Sequence, residues 1–183
     1  MLKCIKYIKF LFYLSILLQI QCDMQLDNKS VRGNKEYNLI PGIGINENIK
    51  LGQSTPEHII NNMGDDYEID ETLLHDYFIK YKNLGFNFFF NYLDKENKRD
   101  LRLNLLVAYK TAKNTNEIIK TDNGILLGDH YNYIFEKYGD PDSESIRYEK
   151  GWHGCFYKSL GVSFSLRINK QNVDGIYIYE PIE

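Results

Sequence analysis

YKNLGFNFFF (Tyr81–Phe90) and YKSLGVSFSL (Tyr157–Leu166) are the two stretches on which the reading of this chain turns. Tyr81, Lys82, Leu84, Gly85 and Phe88 recur as Tyr157, Lys158, Leu160, Gly161 and Phe164, all displaced by one and the same offset. A second echo has the same spacing: Ile49-Lys50-Leu51-Gly52 returns as Ile125-Leu126-Leu127-Gly128. Two separate matches with one offset point to an internal duplication, and such self-similarity decides the fold before any local pattern does.

Within the quoted stretches the apolar residues alternate. Val162, Phe164, Leu166 and Ile168 interleave with Ser163, Ser165, Arg167 and Asn169, the period of two that places one set on one face of a strand. Phe86, Phe88, Phe90 and Tyr92 do the same against Asn87, Phe89 and Asn91. Gly85 and Gly161 stand where the chain must turn into these strands. Polar segments at 94–100 and 169–175 then lead into second alternating runs, Leu101, Leu103, Leu105 and Val107 in one case and Ile176 and Ile178 in the other, which predicts a hairpin in each copy. Residues 147–157 read as a further strand pair or one bent strand. Their counterpart at 71–81 fits a strand or, through Leu73, Leu74, Tyr77 and Phe78, a helix.

A short helix precedes each set of strands. Ser54-Thr55-Pro56-Glu57 reads as a capping box with Ser54 as the cap and proline in the first turn, and Gly64 ends the helix. In the second copy Asp129 is the expected cap, Ile134, Phe135 and Tyr138 form the apolar stripe, and Gly139-Asp140-Pro141 is the stop. The expected fold class is α+β: two tandem helix-plus-antiparallel-sheet repeats over residues 41–118 and 119–183, with the helices packed on one sheet face.

The first residues differ in character. Lys3, Lys6 and Lys9 precede an apolar run over Phe10–Leu18, too short for the roughly 20 residues a membrane-crossing helix needs and ordered as a secretory leader, so residues 1–21 are expected to be a signal peptide. Cys22 ends the apolar region and is followed by Asp23, Gln25 and Asp27. That placement resembles a bacterial lipoprotein leader, which implies lipidation of Cys22 and a site in the cell envelope, either the outer membrane or the periplasm and exterior. Residues 22–40, rich in Asn, Lys and Asp, read as a polar tether.

Once Cys4 leaves with the leader and Cys22 carries lipid, Cys155 is the one remaining thiol, and the exported domain must rest on its core rather than on disulfides. The stretch from Cys22 to Glu183 is long enough for such a core. Losing the leader lysines takes the formal charge from −3 to −6 and leaves no basic patch, so nucleic acid is not an expected partner.

The order of Ile-x-Leu-Gly, capped helix, Gly-Asp-Pro, aromatic strand, Tyr-x-x-Leu-Gly-x-x-Phe strand and Ile-x-Ile closing strand, from Gly44 to Glu183, resembles β-lactamase inhibitory protein and the SmpA/OmlA group of outer-membrane assembly lipoproteins. The tandem inhibitor is the nearer match, although this chain lacks the cysteine pairs that such repeats can carry. The resemblance implies no enzyme. It implies binding of another protein or peptide through an uncovered sheet face carrying aromatic side chains, with membrane attachment through a lipid anchor. Tyr177 and Tyr179, alternating with Ile176 and Ile178, fall on that face, as does Phe89; Trp152 belongs to the aromatic strand. The alternatives are a structural envelope lipoprotein without a dedicated ligand, in which the tyrosines are cross-strand cover, and an envelope hydrolase using Cys155 and His153.

No cofactor or metal is expected. Gly42-Ile43-Gly44 lacks the third glycine and the lysine of a nucleotide loop. Asp140, Asp142 and Glu144 alternate as in part of a calcium loop, but Ser145 stands where glycine is needed. His58, His75 and His130 have no ligand spacing. Asp65, Asp66, Glu68, Asp70 and Glu71 read as an exposed loop and helix start. His153 and Cys155 share a strand face with about 7 Å between their positions, too far for direct proton transfer.

Overall fold

In the computed structural model, residues 35–70, 77–94, 96, 99–111 and 117–182 are described. The leader, Cys22 and most of the tether lie outside the described residues, as does His75. Alternation does what the sequence asks of it. In β5 (Tyr77–Tyr81), β6 (Phe86–Asp94) and β11 (Val162–Arg167), Ile79, Tyr81, Phe86, Phe88, Phe90, Val162, Phe164 and Leu166 are all buried. These strands belong to a sheet of eight. It runs β4 (Glu68–Asp70), β5, β6, β7 (Arg99–Tyr109), β12 (Asn172–Tyr179), β11, β10 (Trp152–Tyr157) and β9 (Ser143–Arg147), every neighbouring pair antiparallel. The chain therefore lays down one four-strand meander from the edge inward and a second from the opposite edge, and the two closing strands, β7 and β12, meet in the middle.

The two meanders repeat details beyond their order. Pairing slips by one residue between Phe89 and Phe90 in β6 and, in the other meander, between Ser165 and Leu166 in β11. The Tyr109 N–H donates to the Gly85 carbonyl at 2.8 Å, and the Tyr179 N–H donates to the Gly161 carbonyl at 3.0 Å. The Gly52 N–H reaches Leu103 O at 2.7 Å, and the Gly128 N–H reaches Val173 O at 2.8 Å. Between the closing strands the offset is shorter than elsewhere. The β6–β7 hairpin is paired out to Asp94 and Arg99, whereas the β11–β12 hairpin stops at Arg167 and Asn172, three residues earlier on each arm.

Helix α1 (Pro56–Met63) precedes the first meander and α2 (Asn132–Tyr138) the second. Ile59 and Ile134 are fully buried in the same apolar cluster as the inner residues of the large sheet, and the Tyr138 ring lies 5.4 Å from the rings of both Tyr157 and Phe164. A smaller sheet, β3 (Ile49–Lys50), β2 (Gly44–Ile45), β1 (Glu36–Ile40) and β8 (Ile118–Thr121), adds Leu39, Ile45, Ile49 and Ile119 to that cluster, with Tyr37 edge-on to Phe86 at 4.9 Å. The whole is an α+β chain made mostly of strand. Each large apolar side chain buried this way contributes roughly 1.5–3 kcal/mol before entropy is counted.

Several local expectations need correction. Thr55, not Ser54, caps α1: its hydroxyl accepts from the His58 N–H at 3.3 Å, while buried Ser54 accepts from the Lys50 N–H at 2.8 Å. The helix starts at Pro56, and the cap must be the residue immediately before it. Asp129 is not a cap. Its carboxylate accepts from the Leu126 N–H at 2.9 Å and closes a turn, while α2 starts three residues later and Tyr131 at its cap position makes no side-chain bond. The tether ends before Glu36. Glu36–Ile40 is a strand whose Tyr37 and Leu39 are buried, because β8, far away in sequence, pairs with it in parallel. Composition averaged over residues 22–40 hides that pair of apolar positions. Tyr77–Tyr81 is a strand, settling the ambiguity of that stretch as far as the described residues reach, and Glu68–Asp70 before it is the edge strand paired with it rather than a helix start.

Candidate functional site: an aromatic face on the large sheet

A residue between two core positions of a strand projects to the opposite face. The register then fixes which residues share a row. One row runs Lys80, Asn87, Val107, Tyr177, Ser163 and Phe156 across six strands, and a neighbouring one runs Phe78, Phe89, Leu105 and Tyr179. Phe78, Phe89, Leu105, Phe156, Tyr177 and Tyr179 are half-buried, where the residues next to them on the inner face, Phe88, Leu106 and Ile178, are fully buried.

The rings on this face lie on a floor of small residues. Gly154, Ser165 and Gly175 stand opposite one another on β10, β11 and β12. A Cβ at Gly154 would come within 2.6 Å of the Trp152 ring and 3.0 Å of the Phe156 ring, so both rings lean over it. A Cβ at Gly175 would sit 3.3 Å from the Tyr177 ring. Ser163 and Ser165 are buried beneath these side chains although they belong to the face away from the core. The Tyr179 hydroxyl donates to Val162 O at 3.1 Å, which lays that ring along the sheet, and burial raises its pKa above the ordinary tyrosine value. At the far end the Arg147 guanidinium sits 5.9 Å from the Trp152 ring.

Tyr177, Tyr179, Phe89 and Trp152 thus all lie on one face, but in three places. Tyr177 and Tyr179 occupy the central strand β12. Phe89 stacks on Phe78 at 4.6 Å with 12° between the ring planes, on the first meander. Trp152 and Phe156 lean over Gly154 on the second. Sequence reasoning missed Phe156 and Phe78. Phe156 alternates with Cys155 and Tyr157 and was open to the same reasoning as Tyr177, whereas Phe78 sat in the stretch that also fitted a helix.

The second constellation is His153 with Cys155. The imidazole Nε2 lies 3.8 Å from the Cys155 sulfur. That is well inside the roughly 7 Å expected from strand spacing, because the ring swings along the strand toward its neighbour. The same Nε2 is 3.2 Å from a Glu144 carboxylate oxygen on β9. A thiol–imidazole–carboxylate relay needs one ring nitrogen for each partner, and here one nitrogen faces both. Burial, and then the Glu144 charge, push the Cys155 thiol up to about 11, so at neutral pH no thiolate is held ready. This geometry gives the hydrolase reading no support.

Asp142 in the acidic turn is structural. Asp142 accepts from the Ser159 N–H at 3.0 Å and from its hydroxyl at 3.3 Å, and the backbone bond is the main reason its pKa is lowered. His130 is held by its neighbours, accepting from the Asn132 N–H at 3.3 Å and lying 3.1 Å from the Gln171 amide oxygen. Among the described residues no helix is long and apolar enough to cross a membrane. Comparison with protein-family models, with curated proteins and with solved structures finds no match for this chain.

Proposed function

We propose that this chain is a non-catalytic, exported, lipid-anchored protein of the cell envelope that binds another protein or peptide on the aromatic face of its large sheet. The observation that carries the reading is the run of half-exposed Phe78, Phe89, Tyr177, Tyr179, Phe156 and Trp152 on one face, opposite the fully buried one. Aromatic side chains bury much area at small entropic cost, which is why they anchor binding surfaces. The basic-then-apolar leader and the position of Cys22 support export and anchoring.

The proposal includes the architecture. Two copies of one unit, each a helix and a four-strand meander, join through β7 and β12 into one sheet, so that a ligand on the face touches both copies. The matched register slips and the matched glycine contacts described above support this. The arrangement is the one implied by the likeness to the tandem inhibitor, and kinship with that group is part of the proposal.

The test is capture from an envelope extract with the full chain and with Tyr177→Ala and Phe156→Ala forms that melt within a few degrees of it. A species held by the parent and lost at least tenfold from both variants supports the platform. Identical captured sets from all three leave a structural envelope component instead. Palmitate labelling of the native and Cys22→Ala chains tests the anchor: label on the native chain alone is expected, and no label on it removes the anchor.

A further inference from the structure

We propose that Glu144, His153 and Cys155 form a binding site for a zinc-type divalent transition-metal ion. The donor atoms of the three residues all lie within 4.8 Å of one another. The imidazole Nε2 stands 3.2 Å from the carboxylate oxygen and 3.8 Å from the sulfur. Zinc bonds of about 2.3 Å to sulfur and about 2.0–2.2 Å to nitrogen and oxygen, opened to tetrahedral angles, put neighbouring donors roughly 3.3–3.6 Å apart. The two edges from the imidazole bracket that range, and the carboxylate–sulfur edge is within 4.8 Å. A single imidazole nitrogen aimed at both a sulfur and a carboxylate is wrong for a proton relay and right for a shared cation.

The matching place on the other edge of the sheet is built differently. There Ile69 of β4 stands opposite Ile79 of β5, and Tyr77 precedes Ile79 by two residues. On this edge Glu144 of β9 stands opposite Cys155 of β10, and His153 precedes Cys155 by two. Apolar residues complete this corner of the sheet on one side. On the other, all three positions carry metal-binding chemistry, and the sulfur is fully buried beside a carboxylate, which packing alone does not call for.

The donor set of one sulfur, one nitrogen and one oxygen suits zinc over calcium or magnesium, which take oxygen donors. Binding releases the Cys155 proton to solvent and leaves a thiolate–metal bond. Three protein donors leave a fourth position for water or a small ligand. His153 also lines a cavity of about 200 Å³ with Tyr131, Ile146, Tyr148 and Leu166. The site is independent of the aromatic face, since its side chains are on the other side of β10.

The experiment is titration of the full chain, stripped with chelator, with cobalt(II) as the spectroscopic stand-in, followed by zinc(II). One equivalent of cobalt should give a thiolate-to-metal charge-transfer band and the visible bands of a tetrahedral ion, and zinc should displace it. The charge-transfer band should vanish in Cys155→Ser. In Glu144→Gln, an exposed position whose change should leave the far-ultraviolet dichroism unaltered, affinity should fall at least tenfold. No band from the parent chain at micromolar protein overturns the proposal. So does a band that survives in Cys155→Ser, which would come from Cys4 or Cys22, or an affinity unchanged by Glu144→Gln and His153→Ala.

Discussion

Tyr81 donates its phenolic hydrogen to the carbonyl oxygen of Gly64 at 2.8 Å, tying the end of α1 to the strand β5. Tyr157 makes the same bond to Gly139, also at 2.8 Å, at the end of α2. Each glycine follows its helix at positive φ, and each carbonyl would lack this partner without the tyrosine. Tyr81→Phe and Tyr157→Phe should therefore each cost about 1–2 kcal/mol, the range for stranding a partly buried acceptor. Four strands separate β5 from β10, about 24 Å at ordinary strand spacing, so the two losses should add. Urea unfolding of both single variants and the double variant checks this.

The same phenols set the alkaline limit. Burial is the main cause raising the pKa of Tyr81 and Tyr157 above the usual 10, and it lifts Tyr138 to about 12 and Cys155 to about 11. In each case the folded state holds its proton more tightly than the unfolded chain. The stabilising effect is thus complete below the unfolded values and is lost as pH rises through the folded ones. The urea midpoint should be level up to about pH 9 and fall between about pH 9 and 12. Tyr138→Phe should flatten that fall; an unchanged slope would mean the phenol is solvated.

The two faces of the large sheet should differ sharply on truncation. Phe164 is buried against Tyr138 and Tyr157, and Phe164→Ala should cost about 3–5 kcal/mol. Phe156→Ala, on the aromatic face, removes a half-exposed ring and should cost about 1 kcal/mol. Thermal melts of the two variants make the comparison.

Two glycines with nearly the same backbone angle should respond differently to alanine. Gly161 has φ +72°, and a Cβ there would lie 2.2 Å from Tyr179 O and 2.8 Å from the Gly42 Cα. Gly151 has φ +62° with nothing within 4 Å of that point. Gly151→Ala should show only the left-handed backbone cost of about 1–2 kcal/mol. Gly161→Ala must also push apart the β12 strand and the Gly42 turn, and its loss should exceed the other by about 2 kcal/mol. Equal losses would show that the contact at Gly161 relaxes freely.

Residue order alone carried the strands of both hairpins, the buried residues of β6, β11 and β12 apart from half-buried Tyr92, and the helices, because alternation and turn chemistry act over a few neighbours. In β7 it failed: the slip in pairing after Leu103 turns Leu105 and Val107 to the aromatic face and puts Leu106 and Ala108 in the core instead. Val162, Phe164 and Leu166 are inside for that reason, and Tyr177 is half-exposed for the same reason. What depends on pairing between distant segments was not legible. Glu36–Ile40 becomes a strand only when β8 arrives beside it, and the joining of β7 to β12 follows from no local signal. Nor could strand spacing foresee that His153 swings to 3.8 Å from Cys155, or that Glu144 crosses from the next strand to meet it. Side-chain rotation and inter-strand register are settled by the packed whole, where each choice is constrained by neighbours far along the chain.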